Sequence, residues 1–378
     1  MKTIEKLSMG EIITRFVERF PQYYKDMNTV EHGFKGEFIN PHHIEGSIWT
    51  HTMLVMKEVD NARRNGKIND DETFMVHALA ALCHDIGKAY CYVDLEDKAR
   101  RRFTNHEGVS VVYAKEVLGQ FEMMPFMMTR IITIVAKHGV LYPYFEDERI
   151  SDKNKDKLAQ SLKYDNIQDL IRFFEFDHYG RFNAHDLGNV DGSIMDLYDI
   201  KGRAEKLAEE DRQTKVITGQ IVIMVGPPRA GKSTYIESAK RPDTVVISRD
   251  DLVMKYGTGD NYSEKWRSLT DEQQKMIDSE ITKSYDEALR NEVQHIIIDM
   301  TNMSKKSRSK WVNHPKARNY FREAVLVLET PKVLLSRNTP EKFIPENVIH
   351  SMLRNLTYPD FTEVNRVTVL SNMDKGVL

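Results

Sequence analysis

The chain has 378 residues, 29% of them charged and 40% hydrophobic, with a formal net charge of −3; that is too long for one typical domain and ample for two cores. The balance excludes a globally basic nucleic-acid binder and leaves room only for a local basic groove. Two cysteines, Cys83 and Cys91, exclude a disulfide framework. With no secretory signal and no apolar run near the roughly 18 residues of a membrane span, they point to a reduced, cytoplasmic protein.

From about residue 10 to 200 the apolar residues recur mostly at helical spacing. Ile48, His51, Met53, Leu54 and Val55 form one such set, and Met75, Ala78, Leu79 and Leu82 another, so the N-terminal half reads as all-α. Met123, Met124, Met127 and Met128 read as helix core. Residues 201–215 (KGRAEKLAEEDRQTK) are almost wholly charged or polar, which fits a solvated helix or linker and sets a domain boundary near 215. Beyond it, apolar runs at 221–225, 244–247, 295–298 and 324–328 alternate with amphipathic segments, the pattern of an α/β domain on a parallel sheet. The expected architecture is two domains, 1–215 and 216–378, with no internal repeat.

Ten of the thirteen histidines precede residue 186. His84-Asp85 closes the apolar helical run HALAALCHDIGK, where an adjacent imidazole and carboxylate can bind a hard or borderline cation. Lys88 follows one turn on, placed to meet a phosphate oxygen. His51, His106, His138 and Asp177 are spaced as expected if successive helices of a bundle each contribute one ligand. Six such side chains suffice for two metals, with Asp85 free to bridge and a water activated to attack a phosphoester. His32, His77 and His185 read as hydrogen-bonded core or rim residues.

These residues resemble the HD phosphohydrolase superfamily, over roughly residues 40–185. Its pattern of one His, then HD, then a distant Asp is matched by His51, His84, Asp85 and Asp177, and His106 and His138 match the extra ligands of two-metal members. HIEGSIWTH (43–51) and DHYGR (177–181) are similar to the HD domain of some tRNA nucleotidyltransferases, which acts on 2′,3′-cyclic phosphates. The resemblance implies phosphate contacts from His43, Lys88 and Arg181.

In the C-terminal half, GPPRAGKST (226–234) satisfies G-x-x-x-x-G-K-[ST] behind an apolar run. Gly226 and Gly231 let backbone amides surround a β-phosphate, Lys232 reaches the β- and γ-phosphates, and Ser233 can ligate magnesium, with Arg229, Ala230 and Thr234 completing the cradle. The cofactor is ATP or another nucleoside triphosphate with Mg. The next apolar run leads into Ser248-Arg249-Asp250-Asp251, where an Asp can serve as general base or as a helix cap. The run at 295–298 is followed by Asp299, a candidate magnesium-organising carboxylate.

The order GPPRAGKST, SRDD, DMTN and Arg337-Asn338 resembles the 5′-hydroxyl polynucleotide kinase family over residues 218–378. That resemblance implies Asp250 as the base, Arg337 on the transferring phosphates, and Asp299 and Asn302 at the family's D-x-T-N position. Two departures stand out: Val253 replaces an acceptor-phosphate arginine, and Lys342 stands in for a second lid arginine. Between 303 and 322, Lys305, Lys306, Arg308, Lys310, Lys316, Arg318 and Arg322 alternate with Trp311, Tyr320 and Phe321, composing either a single-strand guide or a solvated helix.

Together the halves resemble the HD-domain polynucleotide kinases, bifunctional enzymes that heal RNA or DNA ends. The resemblance implies removal of a 2′,3′-cyclic, 3′- or 2′-phosphate and phosphorylation of a 5′-hydroxyl. It also implies single-stranded ends as substrates, functional coupling to a ligase, and one or two divalent metals (Mn, Ni, Co, Fe or Zn). Two rivals remain: an HD nucleotidase fused to a small-molecule kinase, and a nucleotide-responsive binding module with an inactive HD site.

Overall fold

The HALAALC run becomes the most enclosed helix of the N-terminal half. In a computed structural model, which describes residues 5–33, 43–95, 100–140, 150–182, 191–214 and 217–370, the chain forms two compact units, 1–210 and 211–378. His185, Lys215 and Val216 lie outside the described residues. Helix Asp71–Cys83 begins at Asp70, whose carboxylate accepts the Thr73 N–H at 2.6 Å, and every residue from Thr73 to Cys83 is buried. A helix apolar on all sides must be surrounded. It packs against helices Ile48–Arg64, His106–Leu118, Pro125–Lys137 and Ile167–Tyr179, and its alanines let them approach closely.

Helix Ile48–Arg64 is started by Ser47, whose hydroxyl accepts the Thr50 N–H, and buries Ile48, His51, Thr52, Val55, Met56, Val59 and Ala62. That stripe is the 3.6-residue period expected of it. Two glycines then fix how close the elements come. A Cβ on Gly87 would lie 2.4 Å from the Ser110 nitrogen and 2.5 Å from the His106 carbonyl oxygen, and one on Gly180 would lie 2.7 Å from Val55 Cα. The turn after His84-Asp85 therefore sits on the helix that begins at His106, and the end of the Asp177 helix sits on the His51 helix.

The helical half carries one departure, an antiparallel ribbon of β1 (Val93–Leu95) and β2 (Arg100–Arg102). Its strands are too short to reveal alternation. Met127 and Met128 are buried in helix Pro125–Lys137 as expected, whereas Met123 and Met124 precede it, because Pro125 starts the helix at its first position. Residues 201–214 belong to helix Asp191–Thr214, which is not wholly solvated: Leu197, Ile200, Ala204 and Ala208 are buried along one stripe.

The second unit is a five-stranded parallel sheet in the order β4-β5-β3-β6-β7, formed by β3 (Gln220–Val225), β4 (Thr244–Ser248), β5 (His295–Asp299), β6 (Phe321–Leu326) and β7 (Arg366–Val369). Central strands of a parallel sheet are covered on both faces, and Ile221–Val225 and Ile296–Ile298 are buried throughout. Each such isoleucine contributes roughly 1.5–3 kcal/mol by burial. The edge strand β7 escaped sequence reading because RVTV offers no apolar run; Arg366 pairs with Glu323 at 2.5 Å instead. With β5 on one side of β3 and β6 on the other, the sheet has a switch point at the carboxyl end of β3, where ligands bind in such folds. Among the described residues, no helix is long and apolar enough to cross a membrane.

Candidate active sites

In the helical unit, His51, His84, Asp85, His106, His138 and Asp177 come from five separate elements and meet in one place. His51 Nε2 lies 3.0 Å from Asp177 Oδ1 and 3.2 Å from His84 Nε2. His106 Nε2 lies 3.2 Å from His138 Nε2. Asp85 stands between the two groups. Its Oδ2 is 3.3 Å from His84 and 3.6 Å from His51, and its Oδ1 is 3.3 Å from His106 and 3.6 Å from His138.

The outer nitrogens decide what the inner ones can do. Carbonyls of Ala81, Phe103 and Val135 accept the Nδ1 protons of His84, His106 and His138 at 2.8, 3.1 and 2.9 Å, while His51 Nδ1 stands 2.9 Å from Glu45 Oε1. With the protons held outside, Nε2 lone pairs face inward in two couples, an arrangement that is repulsive without a cation between them. Among the described residues, no group donates a hydrogen bond to the buried Asp85 Oδ1. The cluster therefore fits metal in two triads, His51–His84–Asp177 and Asp85–His106–His138, each with its ligand atoms within 4.8 Å of one another. Imidazole with carboxylate suits first-row divalent ions and selects no one of them.

Burial alone would depress His51, but Asp177 and Glu45 outweigh it and hold its pKa above the ordinary value. Burial depresses His84. Asp85 is held well below the usual carboxylate range, because Lys88 and His84 overcome the desolvation that would raise it.

Lys88 Nζ lies 2.7 Å from Asp85 Oδ2 and 3.2 Å from His32 Nε2. His32, expected at the core or rim, is buried against the site and stacks on His43 with ring centroids 4.2 Å apart. Glu45, which sequence reading missed, joins His43 Nδ1 at 2.8 Å to His51; its place two residues after His43 in HIEGSIWTH was the available signal. Arg181 pairs with Asp177 Oδ2 at 2.9 Å, which fixes the orientation of that candidate ligand. His77 is a core residue, with Nδ1 on the Thr73 carbonyl at 2.8 Å.

In the second unit, β3 leads directly into Gly226, where a Cβ would meet the Val327 carbonyl oxygen at 2.1 Å, so only glycine fits. Gly231 has φ +110°, a left-handed conformation favouring glycine, and caps helix Lys232–Ala239. Ser233 and Thr234 are exposed in its first turn, and Ala230 is buried beneath the loop. Lys232 Nζ donates to the carbonyls of Gly226 and Pro227 at 3.0 and 2.9 Å. Burial brings its pKa down to about 8, against the opposing pull of Asp299 and Asp250. Burial raises Asp299.

Asp250 follows β4 in the first turn of helix Arg249–Tyr256. The cap of that helix is Ser248, whose hydroxyl accepts the Asp251 N–H, so neither aspartate caps it. Tyr262 donates to Asp250 Oδ1 at 2.8 Å and Lys342 to Oδ2 at 2.7 Å. Arg229 and Arg337 clasp each other's backbone: Arg337 donates to the Arg229 carbonyl at 2.8 Å, and Arg229 donates to the carbonyls of Arg337 and Lys342. Arg337 also pairs with Glu329 at 3.1 Å. The segment 337–342 is thereby tied to the phosphate loop.

Two expectations need correction. Asn302 is buried, with Nδ2 donating to the Met224 carbonyl at 2.9 Å and Oδ1 accepting from Trp311 Nε1 at 3.0 Å, so both ends of its side chain brace the loop after β5. The basic and aromatic stretch is no stacking guide. Arg308, Trp311 and Tyr320 are core residues, and Arg308 forms a two-pronged ion pair with Glu363 at 2.8 and 3.0 Å. Of its basic and aromatic residues, only Lys305, Lys306, Lys310, Lys316 and Arg318 are exposed.

Residues 221–359 match the family model of an AAA domain. The phosphate loop, the switch point and that match agree on a P-loop domain in the second unit. A chain from a solved structure described as "Structure of the Pnkp1/Rnl/Hen1 RNA repair complex" is similar at 22% identity, over 39% of this chain and 47% of that one, with a TM-score of 0.32. This chain thus spans about half the length of the solved chain it matches. No curated protein matches.

Proposed function

We propose that the chain heals broken nucleic acid ends, removing a 2′,3′-cyclic or terminal phosphate at one site and phosphorylating a 5′-hydroxyl at the other. One pairing carries the reading: a carboxylate-bridged histidine cluster and a P-loop with Asp250 just after β4 occur in a single chain. Nuclease cleavage that leaves a cyclic phosphate and a 5′-hydroxyl creates both substrates at once.

In the helical unit, His51, His84, Asp85, His106, His138 and Asp177 would hold one or two divalent ions. Such ions neutralise phosphoester charge and acidify water. Glu45 and the three carbonyls fix the tautomer in which the neutral imidazoles turn their Nε2 lone pairs inward, and they raise the basicity of those nitrogens as ligands. Lys88, His32 and His43 flank the cluster with cationic and hydrogen-bonding groups suited to phosphate oxygens, while Arg181 holds Asp177 in place.

In the P-loop unit, the Gly226–Thr234 loop binds the phosphates of ATP and Ser233 serves Mg. Asp250 accepts the proton of the 5′-hydroxyl as its oxygen bonds to the γ-phosphorus and the bond to ADP breaks. Tyr262 and Lys342 orient the carboxylate and leave it lone pairs for that proton. Arg337, released from Glu329, is in reach of the phosphate loop through its clasp with Arg229.

A paired assay tests this. One oligonucleotide with a 5′-hydroxyl and a 2′,3′-cyclic phosphate is incubated with γ-labelled ATP and a divalent ion. The wild-type chain is expected to label the 5′ end and open the 3′ end. Lys232→Ala should abolish only the first activity and Asp85→Ala only the second. Labelling of a free nucleoside but not of the strand would refute the reading in favour of a small-molecule kinase.

A further inference from the structure

Beside Asp250 lies a set of aromatic side chains that the phosphate loop does not use. Helix Tyr262–Ser268 starts at Asn261, which accepts the Glu264 N–H at 3.0 Å. It is held close to the preceding helix at Gly257, where a Cβ would lie 2.5 Å from the Lys265 carbonyl oxygen, and Lys265 Nζ donates to the Met254 carbonyl at 2.8 Å. The 337–342 segment secures its other side: Ser263 N–H donates to the Glu341 carbonyl at 3.2 Å and Phe343 N–H to Ser263 Oγ at 3.1 Å. The helix is thus fixed relative to Asp250 from both directions.

Tyr262 and Trp266 sit one turn apart on it, with ring centroids 6.3 Å apart and planes inclined by only 23°. The Tyr262 hydroxyl touches Asp250, and Lys342 Nζ lies 4.1 Å from the Tyr262 ring centroid. Trp266 is 41% exposed, with the Arg249 guanidinium 5.5 Å from its ring, and Phe343 is 54% exposed. Aromatic rings near cations, adjoining a general base, match a single-stranded end with flat bases and an anionic backbone. The terminal base is one sugar away from the hydroxyl that must reach Asp250. Val253 is fully buried and offers that strand no polar contact.

We propose that Tyr262 and Trp266 form a stacking platform for the 5′-terminal bases of the acceptor strand, with Arg249 and Lys342 matching its backbone charge. The proposal deepens the reading of this unit as a 5′-hydroxyl polynucleotide kinase and rests on it. Stacking of this kind is indifferent to base identity, as an enzyme of broken ends requires.

The test is anisotropy with the full chain and a 3′-fluorescein oligoribonucleotide, whose blocked 3′ end is no substrate for the helical unit. A second oligonucleotide lacks its first two 5′ bases. Trp266→Ala is expected to weaken binding of the intact strand between about 5-fold and about 100-fold, and Trp266→Phe to restore most of it. Removing the bases should weaken the wild type by at least as much, and the alanine variant, which keeps only Tyr262, by clearly less. Intact strand bound equally by wild type and Trp266→Ala, or base removal that weakens both proteins alike, would overturn the platform. Transfer of γ-label is measured in parallel: a wild type that binds the strand through Trp266 but never labels it would sink the kinase reading and leave the platform standing.

Discussion

Replacing Arg308 by Met tests whether the basic stretch at 303–322 belongs to the core or to a nucleic-acid surface. Arg308 is fully buried, and Glu363, 55 residues away, is 2% exposed. The guanidinium also donates to the carbonyls of Asn302 and Met303 at 3.1 and 3.3 Å. Removing it leaves a carboxylate buried without its partner, a change that costs about 3–5 kcal/mol, a large share of the ~5–15 kcal/mol that holds a domain together. For a unit of this size each kcal/mol corresponds to roughly 2–4 °C, so the P-loop unit should melt about 6–20 °C lower. Replacing Glu363 by Leu as well removes both charges and should recover most of the loss, whereas Lys306→Ala on the exposed side should stay within about 0.5 kcal/mol. Urea or thermal unfolding of the full chain followed by tryptophan fluorescence reads these shifts. An Arg308→Met protein of unchanged stability whose oligonucleotide binding loses salt dependence would refute the assignment, because that is the signature of a phosphate contact.

Glu45→Gln should weaken metal binding about 10–100-fold, since Glu45 holds His51 Nδ1 at 2.9 Å and His43 Nδ1 at 2.8 Å; competition with a chelating dye measures it, and unchanged affinity would remove Glu45 from the site. Lys232→Met should stabilise the nucleotide-free chain at pH 7 by about 2 kcal/mol, after allowing for its partly exposed stem. Because burial holds the folded-state pKa at about 8 against about 10.4 in the unfolded chain, the unfolded state binds more protons between these values. Wild-type stability therefore gains on the variant as pH rises through that window. Unfolding midpoints at pH 7 and pH 10 check this, and an equal advantage for the variant at both would contradict it.

The elements that depend on local pattern could be read before any coordinates. Helical spacing around His51 and His84, apolar runs at four of the five strands of the parallel sheet, and the glycine-lysine phosphate loop are properties of a few consecutive residues, and a two-unit helical and α/β chain follows from them. The six side chains of the helical site were also nameable, because each lies in a recognisable short segment. Strand β7 was not, since RVTV alternates polar and apolar residues over only four positions and offers no apolar run.

Tertiary contact alone decided the rest. Which nitrogen of each histidine faces inward depends on carbonyls and on Glu45 lying across the fold, and lone pairs can converge only once Gly87 and Gly180 let helices touch. Arg308 and Trp311 look like surface residues in a basic stretch, yet the Glu363 carboxylate 55 residues away holds the first in the core and the Asn302 amide the second. The pairing of Asp250 with Tyr262 and Lys342 is equally invisible along the chain. Burial and hydrogen-bond partnership are set by neighbours in space, and the periodicity of a segment carries no information about them.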